Sequence, residues 1–433
     1  MDYKRVIQQW REFEVPKALH RDADVRFDPH FMITITGPRR AGKTYLCFQL
    51  IHELLGKGVP KDNILYINFE DEKLLGAEAE DIERLLEAFH ELSEVDKKHE
   101  LYLFLDEIQN VKDWDLWVRR THDIRKDTRI VLTGSSSRLL SREISTKLRG
   151  RVINTLLLPL SFKEYLSWRN VDYDLKTVPF SKSKVSVKRA FSRYLKEGGY
   201  PVLQVSKMPQ DRILQEYYQS MIFRDVVERH NVKEIKKLKI LADMLFKSVT
   251  KEISYNKLAN KLKSLGYSIS KNTIIEYMSY FEDAYLFFQN LKYEYALAKQ
   301  LGSIKKLYCI DNGMLNAVSF KFSDDYGKLV ENLVFLELKR RGKESYYYRR
   351  DRECDFLIRE RNKVVGAIQV TDELNDENEG REIAGLVSAM GEHGLEKGLL
   401  LVNEDREEEK RVDGKTVQIR PVWKWLLEDD SVK

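Results

Sequence analysis

Eight consecutive residues, Gly37-Pro38-Arg39-Arg40-Ala41-Gly42-Lys43-Thr44, have the types and spacing to hold a phosphate chain. They read G-x-x-x-x-G-K-T, the pattern of a P-loop. The two glycines let the backbone curl so that successive N–H groups face phosphate oxygens, and a helix beginning there adds its positive end. Lys43 supplies a point charge for the β- and γ-phosphates, and the Thr44 hydroxyl can ligate Mg²⁺. With Tyr45, the stretch 37–45 is the expected lining of an ATP site. Asp106-Glu107 offers the complementary carboxylates. Asp106 is placed to hold Mg²⁺, and Glu107 can orient and deprotonate a water for attack on the γ-phosphate. Ser135 is either a γ-phosphate sensor or simple Gly134-Ser135 turn chemistry. Arg149 and Arg151, in LRGR, are either arginine fingers, acting in cis or on a neighbouring subunit, or members of surface ion pairs.

The elements that must position these groups are legible as alternating strands and helices. The β-branched run Ile33-Thr34-Ile35-Thr36 predicts a buried strand before the P-loop, and the apolar segment after it a helix. Val6, Ile7, Trp10 and Phe13 predict a helix over 3–14. A strand-plus-turn follows at NILYINFEDEKL and a helix at about 79–92. LYLFL predicts a buried strand delivering Asp106 and Glu107, and RIVLTGS another ending at Ser135. A helix bearing SREISTKLRGR then leads to a strand in VINTLLLPL. Such alternation implies a parallel α/β sheet with its ligands at the carboxyl ends of the strands.

Taken together, GPRRAGKT, the NFED turn, LFLDEIQ, LTGSSSRLL, LRGR and LPLSFKEYL resemble the AAA-type ATPases of archaea and bacteria. In that group the ATPase domain is followed by a C-terminal domain of unassigned function. EGGYP at 197–201, FRDVV at 223–227 and LYCIDNGMLNA at 307–317 extend the resemblance over nearly the whole chain. The resemblance implies an additional-strand P-loop fold that binds and hydrolyses ATP with Mg²⁺. It assigns Lys43 and Thr44 to phosphate and metal, Asp106 to metal and Glu107 to water.

At 433 residues the chain exceeds one ordinary core, and two or three domains are expected. Net charge is +5, but over 182–310 there are roughly 24 basic against 12 acidic side chains. Such an excess invites an anionic partner, nucleic acid first. Cys47, Cys309 and Cys354 have no metal-like spacing and read as reduced core residues. No apolar run suggests a signal or membrane span, so a soluble, cytoplasmic protein is expected.

Residues 253–293 predict helix, glycine turn, second helix and an aromatic strand, the layout of a winged helix. Ser270 would cap the second helix, and Lys271, Asn272 and Thr273 at its start would meet double-stranded DNA. Lys257, Lys261 and Lys263 could contact phosphates. Alternatively, the module packs as a lid or mediates protein contacts. Beyond 324 the order α-β-β-β-α-β, with Glu331, Asp355 and Gln369 on its first elements, resembles the restriction-endonuclease fold. There two carboxylates and a lysine hold a metal and activate water. Here Gln369-Val370-Thr371 stands where Glu-x-Lys is implied, which predicts a degenerate site kept for binding. The charged DREEEKR at 405–411 reads as a solvated loop.

The expected architecture is an α/β ATPase domain at 1–180, a helical and winged-helix domain at 181–320 and a nuclease-like domain at 321–433. The expected activity is ATP hydrolysis coupled to DNA, with the chain acting alone or as a homo-oligomer. A nucleotide-gated switch acting on a protein partner is the alternative, and a metal-dependent nuclease a weaker one.

Overall fold

The computed structural model describes residues 1–137, 148, 150–175, 183–319 and 325–428 of the 433-residue chain. These fall into two compact units, Met1–Leu158 and Pro159–Lys433. The helix expected around SREISTKLRGR lies almost wholly outside the described residues. No helix among them is long and apolar enough to cross a membrane.

The first unit is built on a five-stranded sheet in the order β2-β3-β4-β1-β5. Its strands are β1 (Met32–Thr36), β2 (Ile64–Asn68), β3 (Leu101–Asp106), β4 (Thr128–Gly134) and β5 (Val152–Leu156), and every pairing is parallel. β1, β3 and β4 are buried along their whole length, as strands covered on both faces must be. That burial is why LYLFL and RIVL are continuous apolar runs rather than alternating ones. β4 stands between the P-loop strand β1 and the Asp106 strand β3. The helices are α1 (Tyr3–Glu12), α2 (Lys43–Gly56), α3 (Ala79–Leu92) and α4 (Trp114–Ile124). Asp2 caps α1 by accepting from Arg5 N, and a Glu78–Asp81 capping box starts α3. Trp10 seats α1 by donating its indole N–H to Ile64 O at 2.6 Å. β5 stops at Leu156, although Leu157 N still reaches Thr36 O at 2.7 Å. Pro159, two residues further on, has no N–H to extend a ladder.

The second unit opens with α5 (Phe162–Trp168), α6 (Ser183–Glu197), α7 (Gln210–Ser220) and α8 (Ile235–Lys247). α7 continues as a π-helical segment, Met221–Glu228. A small antiparallel sheet follows, ordered β6-β8-β7, from β6 (Glu252–Ile253), β7 (Phe287–Leu291) and β8 (Lys305–Cys309). Between β6 and β7 run α9 (Tyr255–Ser264) and α10 (Lys271–Asp283). Ser270 caps α10 through Thr273 N at 3.0 Å. Buried Asp311 joins EGGYP to the segment after β8: it accepts from Gly199 N at 2.7 Å and Met314 N at 2.9 Å.

The remainder is α11 (Tyr326–Arg340), β9 (Glu344–Arg349), β10 (Glu353–Glu360), β11 (Lys363–Thr371), α12 (Glu379–His393), β12 (Lys397–Val402), β13 (Glu408–Val412) and β14 (Lys415–Pro421). The strands form one six-stranded sheet, β13-β14-β12-β11-β10-β9. Most of DREEEKR is therefore β13, not a loop. Asp413 and Gly414, with φ of 50° and 74°, make the tight turn that folds it back on β14. β13 is an edge strand, and charges on it are paired: Lys410 with Glu379 of α12, and Glu408 with Arg406.

α12 lies so close to β10 that a Cβ at Gly385 would stand 2.2 Å from Glu353 O, whereas at Gly391, on the same helix, nothing lies within 4 Å. In urea unfolding Gly385→Ala is expected to cost about 1–3 kcal/mol. Gly391→Ala is expected to be neutral or to stabilise by up to about 1 kcal/mol.

Candidate functional site

The P-loop leaves β1 at Gly37, with φ 150°, where an added Cβ would lie 2.1 Å from Leu157 O. No side chain fits there. Gly42, with φ 100°, sits at the N-cap of α2 and offers no side-chain cap. The first N–H groups of α2 are thus left facing outward for an anion. Arg40 is also left-handed, at φ 66°. Ala41 is fully buried, and its carbonyl accepts from the Arg21 guanidinium, which also donates to Leu158 O at 2.8 Å. Arg39, next to Pro38, donates to Glu70 at 2.5 Å. Tyr45 is half exposed and stands edge-on to Phe48. The buried Lys43 ammonium donates to Gly37 O and Pro38 O, both at 3.2 Å, and pairs with Glu107 at 3.3 Å.

Asp106 ends β3 fully buried. Its Oδ2 accepts from Thr44 Oγ1 and from Tyr66 Oη, both at 2.7 Å, and its Oδ1 accepts from Thr133 Oγ1. Burial and the charge of Glu107 outweigh these three bonds and raise the Asp106 pKa. Glu107 adopts a left-handed turn, φ 52°, and its N–H donates to Thr133 Oγ1 at 2.9 Å. Burial alone would raise the Glu107 pKa. The Lys43 charge, a 2.5 Å bond from Gln109 Nε2 and the Arg39 charge reverse that and hold it at about 2.

The structure thus brings Lys43, Thr44, Asp106 and Glu107 into one cluster. Ser135 is fully buried and follows Gly134, the register partner of Thr36, at the P-loop end of the sheet. Arg151 is not brought there. It precedes β5 beside Met32, at the opposite, amino-terminal end of the strands, and pairs with Asp123 at 3.2 Å. Arg149 lies outside the described residues. Glu331, Asp355 and Gln369 gather around a cluster of their own in the second unit. Tyr66, Thr133 and Gln109 belong to the site without having been singled out in sequence. Their only signal is position: Tyr66 within β2, Thr133 near the carboxyl end of β4 and Gln109 just past that of β3.

The donor set suits ATP and Mg²⁺. A hydroxyl and a carboxylate already in contact are hard oxygen ligands, and the lysine and outward N–H groups face where phosphates would lie. Among the described residues no group of three or more His, Cys, Asp or Glu side chains forms a separate metal site.

A parallel sheet carrying this loop and these carboxylates defines a P-loop nucleotide-binding domain, and residues 29–166 match a family model described as an AAA domain. Two domains of unknown function match 188–325 and 326–425. An uncharacterized protein of Methanocaldococcus jannaschii is 39% identical over 95% of this chain and 91% of its own. One of Haemophilus influenzae is 31% identical over 93% and 95%. The chain belongs to the same family as these uncharacterized archaeal and bacterial proteins and carries an AAA domain at residues 29–166. Among solved structures, a DNA polymerase III gamma subunit-related protein of Thermotoga maritima aligns at TM-score 0.27 and 12% identity, over 65% of this chain and 98% of that one. AMPPCP-bound DnaA of Aquifex aeolicus aligns at TM-score 0.23 and 15% identity, over 65% and 86%. Likenesses so low add nothing to the argument.

Because folding lowers the Glu107 pKa from 4.5 to about 2, its charged form favours the native state. That contribution is complete above pH 4.5 and is lost as pH falls towards 2. Urea unfolding across that window should show wild type losing stability faster than Glu107→Gln. Parallel curves would contradict the assignment.

Proposed function

We propose that the chain is a Mg²⁺-dependent ATP hydrolase whose turnover is coupled to double-stranded DNA. The observation that carries the hydrolytic reading is the contact of Lys43 with Glu107 and of Thr44 with Asp106 in one buried cluster. A Mg²⁺ ion held by Thr44 and Asp106 would supply charge neutralisation at the β- and γ-phosphates. Lys43 exchanges its bonds to Gly37 O, Pro38 O and Glu107 for phosphate oxygens. Glu107 then loses the cation that depresses its pKa and becomes a better base for the attacking water. Gln109 and Thr133 keep it aimed. Ser135 senses the γ-phosphate from the end of β4. An arginine finger, if Arg149 or Arg151 supplies one, comes from a neighbouring copy and implies a homo-oligomer.

For the DNA arm, α8-β6-α9-α10-β7-β8 follows the order of a winged helix, and Lys257, Lys261, Lys263, Lys271 and Asn272 are exposed on or beside its helices. We place this module in a domain at 181–320, between an ATPase domain at 1–180 and a degenerate nuclease-like domain at 321–433. One observation favours the alternative, a nucleotide-gated contact with a protein. The β7–β8 connection exposes Tyr295, Leu297 and Leu301, where a DNA-binding wing would more usually be basic.

Glu107→Gln is expected to bind ATP as wild type does while turnover falls at least ~10²-fold in a steady-state phosphate-release assay. Unchanged turnover would assign the base elsewhere. Lys257→Glu with Lys271→Glu should weaken binding to double-stranded DNA and flatten its dependence on salt. Identical salt slopes would favour the protein partner.

A further inference from the structure

Lys306, on β8, is almost wholly buried. Its Nζ lies 2.8 Å from Asp355 Oδ1 and 2.8 Å from Glu353 Oε1, both on β10, and 3.2 Å from Glu331 Oε1 on α11. The ammonium donates hydrogen bonds to Asp355 and Glu331 and forms an ion pair with Glu353. The shell around them is also bonded. Glu331 Oε1 accepts from Tyr308 Oη at 2.7 Å, and Asp355 Oδ2 accepts from Val370 N at 3.0 Å. Gln369 turns away from the carboxylates: its Oε1 accepts from Asp355 N at 3.1 Å and its Nε2 donates to Glu382 at 2.7 Å.

Carboxylates from a helix and a strand, beside an amide on the next strand, are the oxygen donors that Mg²⁺ or Mn²⁺ would select. The centre between them is taken. Burial would strip the proton from an isolated lysine, but Asp355, Glu331, Tyr308 and Glu353 outweigh it and hold Lys306 charged well above the ordinary range. A buried cation with these partners cannot leave without exposing their charge to a low dielectric.

We propose that Lys306 is a built-in cation: its ammonium takes the place among Glu331, Glu353 and Asp355 that a divalent metal would need. It closes this cleft to metal-dependent hydrolysis and fastens β8, a strand of the small sheet, to α11 and β10. Gln369 fits the same reading. Its amide bridges Asp355 N and Glu382 as a hydrogen-bond link and is not needed as a ligand. Unlike a bound metal, this cation cannot be removed by a chelator.

The test is thermal melting of the full chain without nucleotide, in EDTA and in MnCl₂. In EDTA, Lys306→Met is expected to melt below wild type, because the carboxylates lose their counter-ion. Mn²⁺ is expected to raise the melting midpoint of Lys306→Met more than that of wild type, and Lys306→Met with Asp355→Asn should lose that gain. A Lys306→Met variant as stable as wild type in EDTA, or indifferent to Mn²⁺, would overturn the proposal. If Lys306→Met does not fold, wild type and Asp355→Asn decide. Titrated with Mn²⁺ and followed by electron paramagnetic resonance, the two should bind equally. A bound Mn²⁺ that disappears with Asp355→Asn would mean that a metal, not Lys306, holds the site.

Discussion

A carboxylate buried without a cation of its own has to be held by neutral donors, and Asp106 is held by three hydroxyls from three elements. Thr44 comes from the start of α2, Tyr66 from β2 and Thr133 from β4. Each bond offsets part of a desolvation cost that still leaves the Asp106 pKa raised. The requirement fixes the relation of the P-loop helix to the sheet. It also explains why β4 must lie between β1 and β3, since Thr133 reaches Asp106 on one side while β1 feeds the P-loop on the other. Loss of the Thr133 hydroxyl would leave Oδ1 without its donor, whereas Oδ2 keeps one donor if either Thr44 or Tyr66 is lost.

The same economy governs Glu107. Its left-handed turn takes it off the end of β3, its N–H is anchored on Thr133, and its carboxylate rests against Lys43. Thr133 thus serves both acidic residues, and Lys43 holds both its own loop and the base. The site is closed on itself. On the proposed reading, a phosphate chain entering it would compete for Lys43 with Gly37 O, Pro38 O and Glu107. The Lys306 cluster repeats this logic in the second unit, where a lysine again satisfies carboxylates brought from several elements.

What could be read before the structure was contiguous in the chain. The P-loop and Asp106-Glu107 are short strings whose chemistry is local, and the apolar runs around them disclosed the parallel sheet. Ser270 disclosed the start of α10 in the same way. Tyr66 and Thr133 escaped because strand order is not written locally: Tyr66 lies on the strand beside β3, and nothing in NILYIN says which neighbour it has. Lys306 escaped for the same reason, as it reaches carboxylates 25 and 49 positions away. β13 was obscured by its charges, although Asp413-Gly414 was a legible hairpin turn. From sequence Arg151 reads as either an arginine finger or a member of a surface ion pair, and it pairs with Asp123. In space it begins a strand at the other end of the sheet.

The central claim is that the cluster around Lys43 is a nucleotide site. The most direct measurement is isothermal titration of ATP with Mg²⁺ into wild type and into Lys43→Ala. The account predicts one ATP bound per chain by wild type and no detectable binding by the variant, with a thermal melt of the variant confirming that it is folded although Glu107 loses its counter-ion. Undiminished affinity in Lys43→Ala would contradict it, and the phosphate-binding role of the P-loop would have to be abandoned.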